Sequence, residues 1–174
     1  MASPNAFRPT PSRQSGYFSV LAEDIVDAPA SHVFKSILDL DHYDQWSTYA
    51  TKATKLGAPG PLTAGATIVF RIHLDPSKPG EDTQDTVLLV EDLPECKRFV
   101  VASSPFPQWL LWAEKVQEVE VVSDTQCRLR KWISMGGPMA PLVLLLKGSV
   151  LQTRFNDYVR ELKTHAEKER SKDN

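Results

Sequence analysis

Cysteine is scarce in this chain: Cys96 and Cys127 are the only two among 174 residues. Two thiols so placed make neither a disulfide framework nor a metal-ligand spacing, and both are expected to be free and partly buried. A basic excess is also missing. Twenty lysines and arginines against 22 carboxylates leave a formal charge of -2, with the cations scattered rather than banked. Such a surface does not neutralise a phosphate backbone, so nucleic acid is not an expected partner. Nor is there a membrane-length apolar run. The uncharged stretch "WISMGGPMAPLVLLL" between Lys131 and Lys147 is shorter than the roughly 20 residues of a spanning helix and is broken by Gly-Gly-Pro. It reads as part of a core or a pocket. The opening "MASPNAFRPTPSRQSG" has no apolar signal core, so residues 1–16 are expected to be a disordered lead-in and the protein cytoplasmic. Glycine-rich phosphate loops and the Gly-x-Ser-x-Gly elbow are absent too, which disfavours nucleotide and hydrolase chemistry. No cofactor and no metal are expected.

What is present suits one domain. With 41% hydrophobic residues the chain can bury one good core, assigned to residues 17–168 and followed by a charged tail at 169–174. "YFSVLAEDIV" reads as a strand ending at Asp27-Ala28-Pro29. Pro29 suits a helix start, and Val33, Phe34, Ile37 and Leu38 follow at helical spacing. A shorter helical piece comes next in "DHYDQW". In residues 66–74, Ile68, Phe70, Ile72 and Leu74 alternate with Thr67, Val69, Arg71 and His73, as a half-buried strand requires. "TVLLVEDL", "RFVVASS", "LWAEKVQEVEVV" and "CRLRKWISM" read as further strands joined by short turns. From Pro138 a long helical stripe runs through Leu142, Leu146, Phe155, Val159, Leu162 and Ala166. The sum is α+β: two short helices after the first strand, an antiparallel sheet of about six to seven strands, and a long C-terminal helix.

The densest polar stretch is Asp39-Leu-Asp-His-Tyr-Asp44. As a helix it pairs Asp39 with His42 and Asp41 with Asp44 on different faces, and as a strand only Asp39 and Asp41 share a side. No local conformation collects all four groups, so it reads as a corner: Asp39 or Asp41 caps the short helix while Tyr43 and Trp46 pack beneath the sheet. Three titratable residues are the candidates for acid/base work. They are His73, if its strand turns that side inward, Tyr49 at a pocket mouth, and Glu114 near a strand start.

In this order, "DIVDAPASHVFKSILDLDHYDQW", "LTAGATIVFRIHLD", "AEKVQEVEVVSDTQCRLRKWISMGG" and "PMAPLVLLLKGSVLQTRFNDYVRELKTHAEK" resemble the SRPBCC (START-like, helix-grip) superfamily over residues 18–167, in its polyketide cyclase/dehydrase-like branch. The resemblance implies a curved sheet gripping the last helix around an internal cavity. Ile133 stands where related sequences often carry a polar, frequently acidic residue, implying a more apolar pocket. The expected lining is Ile68, Phe70, Ile72, Trp112, Ile133, Met135, Met139, Val143 and Leu146. Three functions follow as expectations. One is enclosure of a hydrophobic or polycyclic small molecule. Another is a cyclase/dehydratase of secondary metabolism working in the same cavity by aldol, dehydration or pericyclic closure. The third is a lipid- or quinone-linked chaperone touching membranes through "PMAPLVLLL". A homodimer is left open.

Overall fold

The computed structural model describes residues 5–103 and 106–171. Seven strands form one antiparallel sheet: β1 (Phe18–Val26), β2 (Ala50–Lys55), β3 (Thr67–Ile72), β4 (Glu81–Asp92), β5 (Cys96–Ser103), β6 (Trp112–Ser123) and β7 (Gln126–Gly136), in the order β1-β7-β6-β5-β4-β3-β2. β2 through β7 form a meander of neighbours, and the chain's first strand adds to its last. Between β1 and β2 lie helix α1 (Ala30–Leu38) and a 3-10 helix (Leu40–Gln45), and after β7 comes α2 (Ala140–Arg170).

Pro29, at φ -59°, opens α1 and leaves no unmet N–H, while Val33, Phe34 and Ile37 turn inward. The Asp39–Asp44 corner is structural. Asp39 stands at the N-cap of the 3-10 helix but its side chain makes no capping hydrogen bond. Its carboxylate meets His42 Nδ1 at 2.8 Å instead, and this raises the His42 pKa. Tyr43 and Trp46 are buried beneath it, their rings 4.9 Å apart.

At 31 residues, α2 runs about 46 Å, long enough to cross the whole concave face. Leu151, Phe155, Tyr158, Val159, Leu162 and Ala166 are its buried stripe, meeting Val20, Phe70, Leu129 and Ile133 from the sheet in one core cluster. Arg154, 5% exposed, ties the helix to the β2–β3 side: it donates to the carbonyls of His73 (2.9 Å) and Thr48 (2.8 Å) and pairs with Asp157. Where β7 turns into α2, Gly137 has φ +97°, and a Cβ there would lie 2.5 Å from the Leu110 carbonyl oxygen. Only glycine fits that turn. Among the described residues no helix is long and apolar enough to cross a membrane.

Of the stretch expected to be a disordered lead-in, residues 1–4 lie outside the described residues and the rest lies on the convex face of the sheet. Residues 5–16 form a strap across it. Thr10 is 3% exposed and, with Ser12, donates to the Glu114 carboxylate, which Arg13 also approaches. Ser134 donates to the Arg8 carbonyl at 2.7 Å, and Phe7 meets Trp112 edge-on. Val116, Trp132, Leu21 and Leu89 make a second apolar cluster on this side, and Pro9, Thr10 and Pro11 of the strap lie against it.

Candidate active site inside the grip

In a pleated sheet one parity of side chains faces the helix. In the middle of this sheet that parity is polar. Asp85 stands opposite Ser103 across β4 and β5, Lys115 opposite Val101 across β5 and β6, and Gln117 opposite Lys131 across β6 and β7. Tyr43, Tyr49, Phe70, Ile72 and Tyr158 close over these groups. The space enclosed is about 20 Å3, close to the minimum that holds one water.

The polar groups are paired, with one exception. Lys115 donates to Asp85 at 2.6 Å and Ser103 donates to its other oxygen at 2.5 Å, so the wholly buried Asp85 has both oxygens met. Tyr158 donates to the Gln117 carbonyl oxygen, and Tyr43 donates to the Ile37 carbonyl at 2.8 Å. Lys131 is the exception. It is 5% exposed, and among the described residues its amine makes no ion pair. Its Nζ sits 3.3 Å from the centre of the Tyr158 ring, with the Tyr49 and Phe155 rings at 5.2 and 5.3 Å.

Two effects compete for the charge on that amine. A desolvated cation over aromatic faces gains about 2 kcal/mol. Burying an ammonium costs several kcal/mol even after relaxation, and the Lys115 cation opposes a second charge nearby. Burial wins: it is the main cause that holds the Lys131 pKa well below the ordinary lysine value, with Lys115 adding to it and Asp85 partly offsetting it. The same burial pushes Tyr43 up to about 12 and raises Tyr49 and Tyr158. The cavity thus holds hydroxyls that stay protonated and an amine inclined to be neutral, a hydrogen-bond donor set beside a base.

Of the residues singled out in the sequence, Tyr49, Phe70 and Ile72 line this cavity. Ile68, Ile133 and Met135 are buried in the surrounding core, and Met139 and Val143 pack at its margin. The others lie elsewhere. Leu146 is 63% exposed. Trp112 packs against Phe7 and lies under Arg13 of the strap. Glu114 has the opposite parity from Lys115 and serves as the strap's anchor. His73 lies just past the end of β3, its ring bonded to Thr51 at 3.0 Å. Tyr158 reads from sequence as a polar contact at a pocket mouth or a surface position on the helix, and Lys115 as part of a charged strand face, whereas both line the cavity. Lys131, Gln117 and Asp85 were not singled out. Their signal was parity: Lys131 alternates in step with Cys127, Leu129, Ile133 and Met135, so a strand buried on that face had to carry the lysine inward.

A second recess, about 640 Å3, opens between α1, the 3-10 helix and the segment 54–62, floored by Phe34, Leu38, Leu62 and Val90. On its charged rim Asp39 pairs with His42, Asp92 with Lys97, and Lys55 donates to the Ala58 and Gly60 carbonyls. Among the described residues no cluster of His, Cys, Asp and Glu is arranged to hold a metal. Cys127 is buried, which pushes its thiol up to about 12, and Cys96 is half-buried.

No family model matches the chain. A protein of Penicillium oxalicum (strain 114-2 / CGMCC 5302), the oxopyrrolidines biosynthesis cluster protein O, is 27% identical over 160 residues, spanning 78% of this chain and 79% of that one. Among solved structures, a hypothetical protein of Helicobacter pylori superposes with a TM-score of 0.71 at 15% identity, covering 95% of this chain and 99% of its own. The Zhui aromatase/cyclase of a Streptomyces species (R1128) gives 0.65 at 12% identity, covering 86% and 93%. Seven antiparallel strands gripping one long C-terminal helix give the chain a helix-grip fold, which these solved structures share in overall architecture.

Proposed function

We propose that the chain encloses a small carbonyl compound between sheet and α2 and promotes its enolisation and ring closure, as a cyclase of a biosynthetic sequence does. The observation that carries this reading is the Lys131 amine, buried over aromatic rings, without an ion-pair partner among the described residues and with its pKa lowered by that burial, beside tyrosine hydroxyls. A carrier needs only apolar walls and gains nothing from burying such a group at a cost of several kcal/mol. Perturbed titratable groups in a closed site are what acid/base chemistry uses.

Each residue has a part. The neutral amine takes a proton from the carbon next to the carbonyl, and the Lys115 ammonium, held by Asp85, stabilises the oxygen as charge develops there. The tyrosine hydroxyls keep their protons and orient the substrate. Folding a flexible chain in a dry cavity brings its two ends together and lowers the barrier further. At about 20 Å3 the cavity admits a substrate only as the aromatic roof of Tyr49, Phe155 and Tyr158 gives way. The relative from an oxopyrrolidines biosynthesis cluster and the likeness in fold to an aromatase/cyclase support the same reading.

The test is native mass spectrometry of protein purified from its own cells, followed by denaturing release and identification of what it holds. The expected molecule is a carbonyl compound or its cyclised product, formed again when the linear precursor meets fresh protein but not Lys131→Met. A retained molecule without a carbonyl, returned unaltered, would make the protein a carrier.

A further inference from the structure

We infer that Lys131 acts in the same reaction as a nucleophile rather than by taking the carbon proton itself, and that it holds a ketone or aldehyde substrate covalently as an imine during the reaction. The inference rests on the cavity being a site of carbonyl chemistry and says how that chemistry begins. A lysine becomes nucleophilic when it is desolvated or set near another cation. Lys131 has both: aromatic rings on one side and the Lys115 side chain in the same cavity. The titratable groups facing it are Lys115 and Asp85 from the sheet, Tyr43 from the 3-10 helix, Tyr49 from the segment just before β2, and Tyr158 from α2. None of them pairs with the amine, so the nitrogen lone pair is free to react.

The step balances without a co-reactant. The nitrogen lone pair forms a bond to the carbonyl carbon as the C=O π bond breaks, and the proton lost by nitrogen goes to that oxygen, giving a carbinolamine. A proton from the Lys115 ammonium lets the hydroxyl leave as water, and a protonated imine remains. Its positive charge draws electrons from the adjacent C–H. The proton passes to the Asp85 carboxylate in the same cavity, leaving an enamine whose carbon attacks a second carbonyl of the same molecule, and Asp85 hands that proton to the alkoxide so formed. Water then hydrolyses the protonated imine to the carbonyl product, its proton returns to Lys115, and Lys131 is restored as the free amine. The substrate class that fits is a dicarbonyl compound, with one carbonyl captured and the other attacked.

The probe is acetone, a small ketone, with two readouts in one sample: deuterium exchange into its methyl groups by NMR, and trapping by cyanoborohydride located by peptide mapping. Near pH 7 an ordinary lysine is neutral in roughly one molecule in 2,500, so the isopropyl group is expected on Lys131 ahead of every other lysine. Exchange is expected to be at least about tenfold faster than with Lys131→Met. Exchange that depends on Lys131 without adduct at Lys131 would overturn the imine and leave the base. Exchange and labelling no greater than in Lys131→Met would overturn both. Because trapping is located on the unmutated chain, the result stands even if the variant folds poorly.

Discussion

Replacing Lys131 with methionine keeps the length of the side chain and removes its charge, and the consequence is a pH-dependent gain in stability. In the unfolded chain the amine binds its proton up to a pKa of about 10.4. In the folded chain burial and Lys115 hold the pKa well below that. Between the two values the unfolded state binds more protons, so the residue's contribution destabilises the fold increasingly as pH falls, by about 1.4 kcal/mol per unit. Below the folded pKa both states are protonated and the penalty stops growing. Methionine carries no such penalty. The difference in unfolding free energy, variant minus wild type, is therefore expected to rise at close to that slope on going down from about pH 10, and then to flatten at the folded pKa. Urea unfolding at a series of pH values measures it. The tyrosines with raised pKa values lose their protons above the ordinary tyrosine range and are common to both proteins, so they cancel. A difference that stays constant over the whole range would refute the claim that the folded state disfavours the charged amine.

Asp85→Asn removes the partner of Lys115 at a wholly buried position and is expected to cost about 3–5 kcal/mol in denaturant unfolding; a loss under about 1 kcal/mol would show the pair to be dispensable. Arg154→Met leaves two carbonyls and Asp157 without their donor, with an expected loss of about 1–3 kcal/mol and faster hydrogen exchange in β2 and β3; unchanged exchange there would contradict its role as the tie between helix and sheet edge. Glu114→Ala frees Thr10, Ser12 and Arg13, so trypsin is expected to cleave after Arg13 sooner than in the wild type, and an equal rate would mean that the strap is held elsewhere.

The fold was legible because each element carries its own period. Ile68, Phe70 and Ile72 alternate and lie buried in β3, and Phe155, Val159 and Leu162 keep the helical stripe of α2. The site was less legible, for a physical reason. Alternation was read as apolar inward and polar outward, and this sheet breaks the rule on both faces. Lys131, Lys115 and Asp85 turn inward because they answer one another or an aromatic cage, while Trp132 and Val116 turn outward because the strap covers them. Neither circumstance is local, since the strap and the sheet it covers are about a hundred residues apart in sequence, as Ser12 and Glu114 are. Tyr49, expected as a polar contact at a pocket mouth, lines the cavity. The exposure of Leu142, Leu145 and Leu146 accounts for the apolar excess at the start of α2: the helix uses one stripe there and leaves the rest to solvent.

The most direct measurement is an NMR titration of the lysine side chains in protein labelled with 13C at lysine Cε, with Lys131→Met supplying the assignment. One resonance is expected to titrate well below all the others and to vanish in that variant. If Lys131 instead titrates together with the exposed lysines near pH 10.4, the amine is an ordinary cation and the chemistry assigned to the cavity has no base to begin it.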